Sequence, residues 1–349
     1  MSSFLVEYNV ADLSSTFASL LTQNNPYYLD VADHSVPKRM DVIPKPEPLF
    51  DDLIPVAEEI VVSKQEVFEG IISDADHRFN AGFSVANAGC RWKDGNAPRI
   101  KVRGPSFVKD KKKVHSAPSL YKLINVDLVT NSTQDRIAHV ASHIKLPAAT
   151  IKRKPGTIDK LPRLIVINMQ IPKAAPKFFG KADPDPGVNL LFYFEIKQDT
   201  YDTSIDPKHS SPSLHLLERF FEKLSQDEDI ARRFKMIGTC FNIGELGIPS
   251  MFHSYNGKPV IVFKAGSLSR GLVDGKEDDM YMQVDVNVHD FAYVARKGLY
   301  TLQDDIPKMN FSCSFVLQGE TPEELPEQVF GCAEMGNVNL DRACHVKFN

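Results

Sequence analysis

Seven basic side chains lie within fifteen residues of one another and form the densest charge in the sequence. They are Arg99, Lys101, Arg103, Lys109, Lys111, Lys112 and Lys113, and Asp110 alone offsets them. Clustered lysines and arginines can hold lipid phosphates, and each contributes roughly 1 kcal/mol beside an anionic membrane. A solvated basic loop explains the cluster equally well. We expect no nucleic acid binding, because Phe107 is the one aromatic residue within the cluster and the chain has a net charge of −4.

A second polar group, Asp285, Asn287 and His289, alternates with valines in a strand-like run. Successive side chains of a strand point to opposite sides, so these three share one face. The same alternation predicts that the other face points into the core, and it carries Val284, Val286 and Val288. Asp and His can perform general acid–base chemistry, or the three residues can line a pocket. A solvated sheet face or structural hydrogen bonds are the favoured interpretation.

Signatures of catalysis and metal binding are otherwise missing from the sequence. It contains no nucleophile elbow, phosphate loop, dinucleotide fingerprint or kinase signature. His139 and His143 have a spacing that can bind metal on a predicted helix over 134–144, but no third ligand is evident. The five cysteines are scattered, as is typical of reduced thiols in the cytosol. The sequence therefore predicts a protein that is not an enzyme and binds no metal or cofactor.

Strand-like runs predominate after about residue 160. Near-continuous apolar runs at 162–172 and 188–196 are typical of strands covered on both faces. Apolar and polar residues alternate over 310–318, which predicts a strand. Residues 257–298 predict a hairpin whose two strands flank a long polar tip. A stripe of apolar residues predicts a helix over 213–224.

Weaker patterns complete the expected fold. Short helices are predicted over 117–124 and 322–330, and a strand over 298–303. Together the elements predict an α+β fold with a curved, largely antiparallel sheet and helices packed on one side. A cupped sheet of this kind can enclose an apolar cavity.

Residues 1–75 are predicted to form an N-terminal arm ahead of a domain that spans 76–349. The arm begins with an amphipathic helix over 8–22, which either docks on a partner or packs on its own domain. Residues 36–55 contain five prolines, which favour an extended conformation, and large apolar residues, which need a covering surface. We expect the arm to be an ordered extension that lies on the domain or on another protein.

Seven short motifs between about residues 90 and 335 resemble, in order, the C-terminal domain of the plant protein Enhanced Disease Resistance 2, a family of poorly defined function. The motifs are Val102–Gly104 with Asp110–Lys113, Leu164–Pro172, Arg233–Ile237, Gly257–Val260 with Lys264 and Ala265, Met282–Val288, Val294–Arg296, and Glu324–Glu327 with Gly331. Asn287 stands where relatives commonly have a second acid, and the loop over 173–187 is longer than theirs.

The resemblance implies a role in lipid binding, because plant members place this domain behind pleckstrin-homology and START modules. This chain has about 75 residues ahead of the domain, which are too few for either module. From the resemblance and the missing catalytic signatures, we expect a non-catalytic protein that binds lipid or another apolar ligand. The alternative is a structural or assembly subunit that contacts protein partners through residues 1–55. The expected location is cytoplasmic, at the periphery of a membrane or within a large assembly.

Deleting residues 1–55 should leave a folded domain whose contacts with a partner or a second copy are weakened. The reason is that an isolated helix as short as 8–22 is marginal in water and needs a second surface. Circular dichroism and analytical ultracentrifugation of the truncated and full chains would measure both effects. A truncated chain that does not fold would contradict the prediction.

Overall fold

A computed structural model describes most of the chain after residue 90. The described ranges are 91–131, 138–154, 160–177, 187–206, 208, 211–224, 227–261, 266–276, 279–291 and 293–346. The predicted arm, with its helix over 8–22 and its proline-rich segment over 36–55, lies outside them. The predicted boundary between residues 75 and 76 lies outside them as well.

Thirteen strands and six α-helices make up the described part of the chain. The strands are β1 (Arg91–Asp94), β2 (Lys101–Arg103), β3 (Lys113–His115), β4 (Tyr121–Asn131), β5 (Leu164–Ile171), β6 (Val188–Ile196), β7 (Phe234–Cys240), β8 (Pro259–Ile261), β9 (Gly266–Leu272), β10 (Met280–Asn287), β11 (Asn310–Leu317), β12 (Val329–Gly336) and β13 (Cys344–Val346). The helices are α1 (Phe107–Asp110), α2 (Gln198–Ser204), α3 (Pro212–Lys223), α4 (Glu228–Ala231), α5 (Ser250–His253) and α6 (Tyr293–Leu302).

The strands form two large sheets and one small hairpin. A six-stranded sheet has the order β13-β4-β6-β5-β10-β9, and a five-stranded sheet has the order β1-β12-β11-β7-β8. Strands β2 and β3 pair only with each other among the described strands. The pairs β13–β4 and β5–β10 are parallel, and the other pairings are antiparallel. The predicted α+β class and the largely antiparallel pairing are confirmed.

Phenylalanines join the two sheets. Phe315 of β11 lies 5.6 Å, centroid to centroid, from Phe192 of β6, so it bridges the five- and six-stranded sheets. Phe234 of β7 stacks on Phe315 at 5.9 Å and on Phe220 of α3 at 6.0 Å. Aromatic pairs at these separations add about 0.5–1.5 kcal/mol each beyond the area they bury. The main core is therefore a dense aromatic layer between the sheets, closed at one end by α3.

The six-stranded sheet is covered on both faces. Every residue of β5 and β6 is buried, which explains why their sequences are almost continuously apolar. One face joins the phenylalanine layer, and the other packs on the segment that contains Val140, Ala141 and Ile144. Six consecutive residues of β10 are buried, so both of its faces are covered as well.

Several predicted elements are confirmed. Strands β5 and β6 occupy the two apolar runs, and β11 buries the predicted face of residues 310–318. Helix α3 matches the prediction over 213–224, and its stripe of apolar residues is buried. Ser211 caps this helix by accepting a hydrogen bond from the Leu214 amide at 3.4 Å.

Other predicted elements are wrong. Residues 121–131 form strand β4 instead of the helix predicted over 117–124, and residues 293–302 form helix α6 instead of a strand. Residues 322–324 make a single 3-10 turn, and strand β12 begins at Val329. The polar segment Gly266–Leu272, predicted as a hairpin tip, is itself strand β9 paired with β10. Pairing with neighbouring strands overrides local patterns of this kind.

Replacing Val286 by Asp should lower the free energy of unfolding by about 4 kcal/mol, because Val286 is 1% exposed and the new carboxylate would have no partner there. Leu272→Asp is the matched control, since Leu272 lies on the neighbouring strand β9 and is 44% exposed. Urea denaturation would measure both variants. Equal stability of the two variants would contradict the burial of β10.

Candidate anion-binding surface

Six of the seven predicted basic residues lie on one small unit, residues 101–115, which we call the basic hairpin. Strands β2 and β3 pair so that Arg103 lies directly opposite Lys113. Helix α1 fills the connection, and the chain leaves it through Lys111, whose φ is 55°. Arg99 precedes the hairpin, and its guanidinium lies over the Phe241 ring at 5.4 Å.

Phe107 organises the charges at the tip of the basic hairpin. Its ring lies 4.7 Å from the Arg103 guanidinium carbon and 5.6 Å from the Lys111 ammonium. Cations at such distances are attracted to the ring face. The ring therefore holds the two cations on one small structure instead of leaving them on a free loop.

Lysines and apolar side chains are exposed together on the basic hairpin. The exposed lysines are Lys101, Lys109, Lys111, Lys112 and Lys113. Val108 is 43% exposed and Val114 is 37% exposed, and both belong to the few large apolar residues exposed in the described part of the chain. Apolar side chains beside lysines are typical of surfaces that enter the headgroup region of a membrane.

An apolar contact and an ion pair fix the basic hairpin to the five-stranded sheet. Val102 is buried against Ile237 and Val316, which belong to β7 and β11. The Arg103 amide donates to Glu327 Oε2 at 3.1 Å, and the Glu327 amide donates to the Arg103 carbonyl at 3.0 Å. The Arg103 guanidinium donates to the Gly319 carbonyl at 2.9 Å and lies 3.7 Å from Glu327 Oε1.

Glu327 also holds a buried lysine. Lys235 of β7 is 4% exposed, and its ammonium donates to Glu327 Oε1 at 2.8 Å. Burial lowers the pKa of Lys235 to about 8, although the Glu327 carboxylate opposes the shift. The positive charges of Arg103 and Lys113 lower this pKa further.

Lys113 and Lys258 add two more positive charges near Glu327 and Lys235. Although Lys113 is exposed as a whole residue, desolvation by the surrounding protein lowers its pKa; Glu327 opposes the shift, and the charges of Arg103 and Lys258 reinforce it. Lys258 lies in the turn before β8, where its amide donates to the Tyr255 carbonyl at 3.1 Å. We call Arg103, Lys113, Lys235 and Lys258 the cation cluster.

Glu324, three residues before Glu327, anchors α3 and β7 from the same turn. Arg233 donates to both of its oxygens at 2.7 and 2.8 Å, and Arg219 of α3 donates to Oε1. Burial would raise the pKa of Glu324, but hydrogen bonds from the Glu320 amide, Arg219 and Arg233 outweigh burial and hold this pKa at about 2. The two carboxylates thus fasten the basic hairpin, α3 and β7 to one turn.

The second predicted site is not a solvated face. Asp285 is 2% exposed and accepts hydrogen bonds from Asn168 at 2.6 Å and from Ser267 at 3.1 Å. Asn189 in turn donates to Asn168 at 2.7 Å, so a polar ladder crosses four neighbouring strands. A carboxylate satisfied in this way acts as a structural acceptor. The favoured prediction of structural hydrogen bonds is confirmed for Asp285, and the prediction of a solvated face is wrong.

His289 does not continue the strand face that Asp285 and Asn287 share. Strand β10 ends at Asn287, and His289 lies in the 3-10 turn that follows, where it is buried. Asn287 donates to Asp290 at 2.6 Å and accepts from the His289 amide at 3.2 Å. The structure therefore does not bring the three predicted residues into one pocket.

His139 and His143 flank a 3-10 turn, Val140–Ser142, and the described part of the predicted helix over 134–144 is not α-helical. The His139 amide donates to Asp285 Oδ2 at 3.3 Å, which seals the polar ladder from solvent. Within the described ranges, no three His, Cys, Asp or Glu side chains are grouped so that they could hold a metal ion.

Neither of two depressions on the surface is the apolar cavity that the sequence predicts. One, bordered by Leu216, Leu317 and Glu324, has a volume of about 10 Å³, which is room for about one water molecule. The other is open, has a volume of about 680 Å³ and is lined by Glu222, Lys223, Asp227, Glu228 and Asp229. Neither suits an acyl chain. No helix in the described part of the chain is long and apolar enough to cross a membrane.

Sequence reasoning found the basic hairpin but missed three residues that complete its charge: Lys235, Lys258 and Glu327. Each belongs to a motif of the family resemblance, so the residues were visible, but their proximity was not. A lysine inside the apolar run of β7 was the available signal, because lysine is almost never fully buried without a partner.

Comparisons with known proteins place the chain beside one family. Residues 92–339 match the family model described as "Protein ENHANCED DISEASE RESISTANCE 2, C-terminal". A curated relative, "Protein ENHANCED DISEASE RESISTANCE 2-like" from Arabidopsis thaliana, is 26% identical over 257 residues, which cover 74% of this chain and 30% of the relative. The chain therefore corresponds to about a third of that protein's length. No solved structure matches.

Replacing Glu324 by Gln should lower the free energy of unfolding at pH 7 by about 2 kcal/mol, less than for a fully buried pair because Arg219 is partly hydrated. The pKa of Glu324 is about 2 in the folded state, below its unfolded value, so its contribution is complete above about pH 5 and is lost as the pH falls toward 2.

Urea denaturation at several pH values should therefore show the difference between this variant and the wild type narrowing below about pH 5. Glu222→Gln, an exposed change on α3, is the control and should differ little from wild type at any pH. If the difference in the free energy of unfolding between the variant and the wild type did not change with pH, the stabilisation would not come from the charged form of Glu324.

Proposed function

The chain belongs to the Enhanced Disease Resistance 2 C-terminal domain family, and on that premise we propose that it is a non-catalytic protein that binds anionic lipid surfaces through the basic hairpin. One observation carries the proposal. The basic hairpin carries five exposed lysines and two exposed valines, Val108 and Val114, and hydrogen bonds and an ion pair attach it to the domain.

Electrostatics and apolar contact would act together at such a surface. Lysines near an anionic leaflet contribute roughly 1 kcal/mol each, so several are needed to hold a protein. Valine side chains can enter the boundary between headgroups and acyl chains and so help to hold the protein at the membrane. The attachment of Arg103 to Glu327 and Gly319 orders the hairpin before it meets the membrane, so little entropy is lost on binding.

A surface site explains the structure better than an internal lipid pocket. Phe192, Phe234 and Phe315 fill the space between the two sheets, and the Phe315 ring contacts both of the other rings. The small cavity beside α3 is far below the roughly 300 Å³ of a typical ligand pocket. We therefore propose that the lipid stays in its bilayer and the protein binds from outside.

The buried polar groups favour binding over catalysis. Asp285, the strongest candidate for acid–base chemistry, accepts hydrogen bonds from Asn168, Gln283 and Ser267 and is 2% exposed. A general base must reach a substrate proton, directly or through one water molecule. Asp285 instead ties β5, β9 and β10 together.

The triple variant Lys109→Glu, Lys111→Glu and Lys112→Glu should lose binding to phosphatidylserine vesicles by about 100-fold or more, because three favourable charges become unfavourable. Co-sedimentation at low and physiological ionic strength would measure the loss. Wild-type binding should weaken with added salt, since charges at a surface are screened within about 8 Å at physiological ionic strength.

The matched control is Lys208→Glu, Lys223→Glu and Lys276→Glu, which changes the net charge equally at exposed lysines on other elements. This control should keep most of the vesicle binding, and both triple variants should keep the wild-type melting temperature. Equal losses in the two triple variants would show that net charge alone attracts the protein and would refute a specific surface.

A further inference from the structure

Three positive side chains gather around one carboxylate, Glu327, and a fourth lies on a neighbouring turn. Arg103 comes from β2, Lys113 from β3 and Lys235 from β7. Lys258 lies in the turn before β8, which packs beside β7 through the hydrogen bond from the Gly257 amide to the Gly238 carbonyl at 2.9 Å. The basic hairpin, the segment 235–258 and Glu327 are far apart in the sequence, so the fold itself assembles the charge. Lys235 and Arg103 are held by Glu327, at 2.8 and 3.7 Å.

The charge of the cluster is not balanced by the described residues. Glu327 already accepts from Lys235, the Gly319 amide and the Arg103 amide. Neither Lys113 nor Lys258 has a carboxylate within ion-pair distance among the residues that the structure describes, and both are exposed. Lys113 and Lys258 therefore present their ammonium groups to solvent, and Arg103 lies opposite Lys113 in the basic hairpin.

We infer that Lys113 and Lys258, backed by Arg103, form a binding site for a phosphate monoester group. Lysine is a common phosphate binder that acts as a point charge with three donors, and a guanidinium behind it strengthens the local positive potential. A monoester carries a charge near −2 at neutral pH, whereas a phosphodiester carries −1. The excess of positive charge therefore favours the monoester. This inference extends the proposed function and rests on it only in placing the phosphate on a lipid.

The position of the site suits a phosphate at a membrane surface. Lys113 adjoins the exposed Val114, and Lys258 lies in the same turn as Tyr255, which is 38% exposed. Desolvation is the main cause of the lowered pKa of Lys113, and repulsion by Arg103 and Lys258 adds to it; a bound dianion would relieve that repulsion. Binding should therefore stabilise the fold.

The experiment uses the full chain with two kinds of probe. Glycerol 3-phosphate, measured by calorimetry and by the melting temperature, tests for the monoester site in solution. Vesicles that contain phosphatidic acid, compared with phosphatidylserine vesicles of equal surface charge, test for it on a lipid. The wild type should bind glycerol 3-phosphate with a rise in melting temperature, and it should prefer phosphatidic acid over phosphatidylserine.

Lys258→Met separates the inference from the proposed function, because Lys258 lies outside the basic hairpin and is exposed. This variant should weaken glycerol 3-phosphate binding by about tenfold and lose the preference for phosphatidic acid, while keeping phosphatidylserine binding. Lys112→Met is the matched control. It should keep glycerol 3-phosphate binding and should weaken binding to both phosphatidic acid and phosphatidylserine vesicles.

The possible failures are distinguishable. A wild type that binds phosphatidylserine vesicles but neither takes up glycerol 3-phosphate nor prefers phosphatidic acid would overturn the inference and leave the proposed function standing. Glycerol 3-phosphate binding without any vesicle binding would support the site for a soluble phosphate ester and refute the lipid surface. Equal phosphate binding by Lys258→Met and the wild type would overturn the site.

Discussion

The buried carboxylate of Glu327 is the constraint on which the candidate binding surface depends. It is 4% exposed and joins the basic hairpin, β7 and the turn at Gly319 through Arg103, Lys235 and two backbone amides. A charge removed from water costs several kcal/mol unless its partners are well placed, and here they are. The hairpin can carry exposed lysines and valines in a defined orientation because its base is held in this way.

The packing of the two sheets supports the proposal of a surface site. Phe315 bridges the sheets by contacting Phe192, Phe234 stacks beside Phe315, and α3 closes the layer with Phe220, so aromatic side chains fill the main core. The opposite face of the six-stranded sheet is covered by the segment around Val140. With both faces of the six-stranded sheet packed, the sheets act as a scaffold, and the basic hairpin, our proposed contact surface, is attached to that scaffold. Binding residues commonly lie on such segments held by a rigid scaffold.

The sequence indicated those parts of the fold whose signal is local. Strands β5 and β6 were recognisable because burial on both faces makes them continuously apolar, and α3 because its stripe repeats at helical spacing. The helix predicted over 117–124 was wrong because pairing with β6 overrides the local pattern of β4. The basic cluster was also predictable from the sequence, because its residues are near one another along the chain. Lys258 and Glu327 were not, because only the pairing of distant strands brings them to Arg103 and Lys113.

Hydrogen–deuterium exchange of the full chain on phosphatidic acid vesicles would locate the membrane-binding surface, since exchange slows where the membrane covers the backbone. We expect new protection at residues 101–115 together with residues 255–259, two segments that are distant in sequence and joined through the cation cluster. We expect no change in α3 or α4, which border the acidic depression at Glu222 and Asp227. Protection confined to other elements, or none in the basic hairpin, would refute the proposed surface.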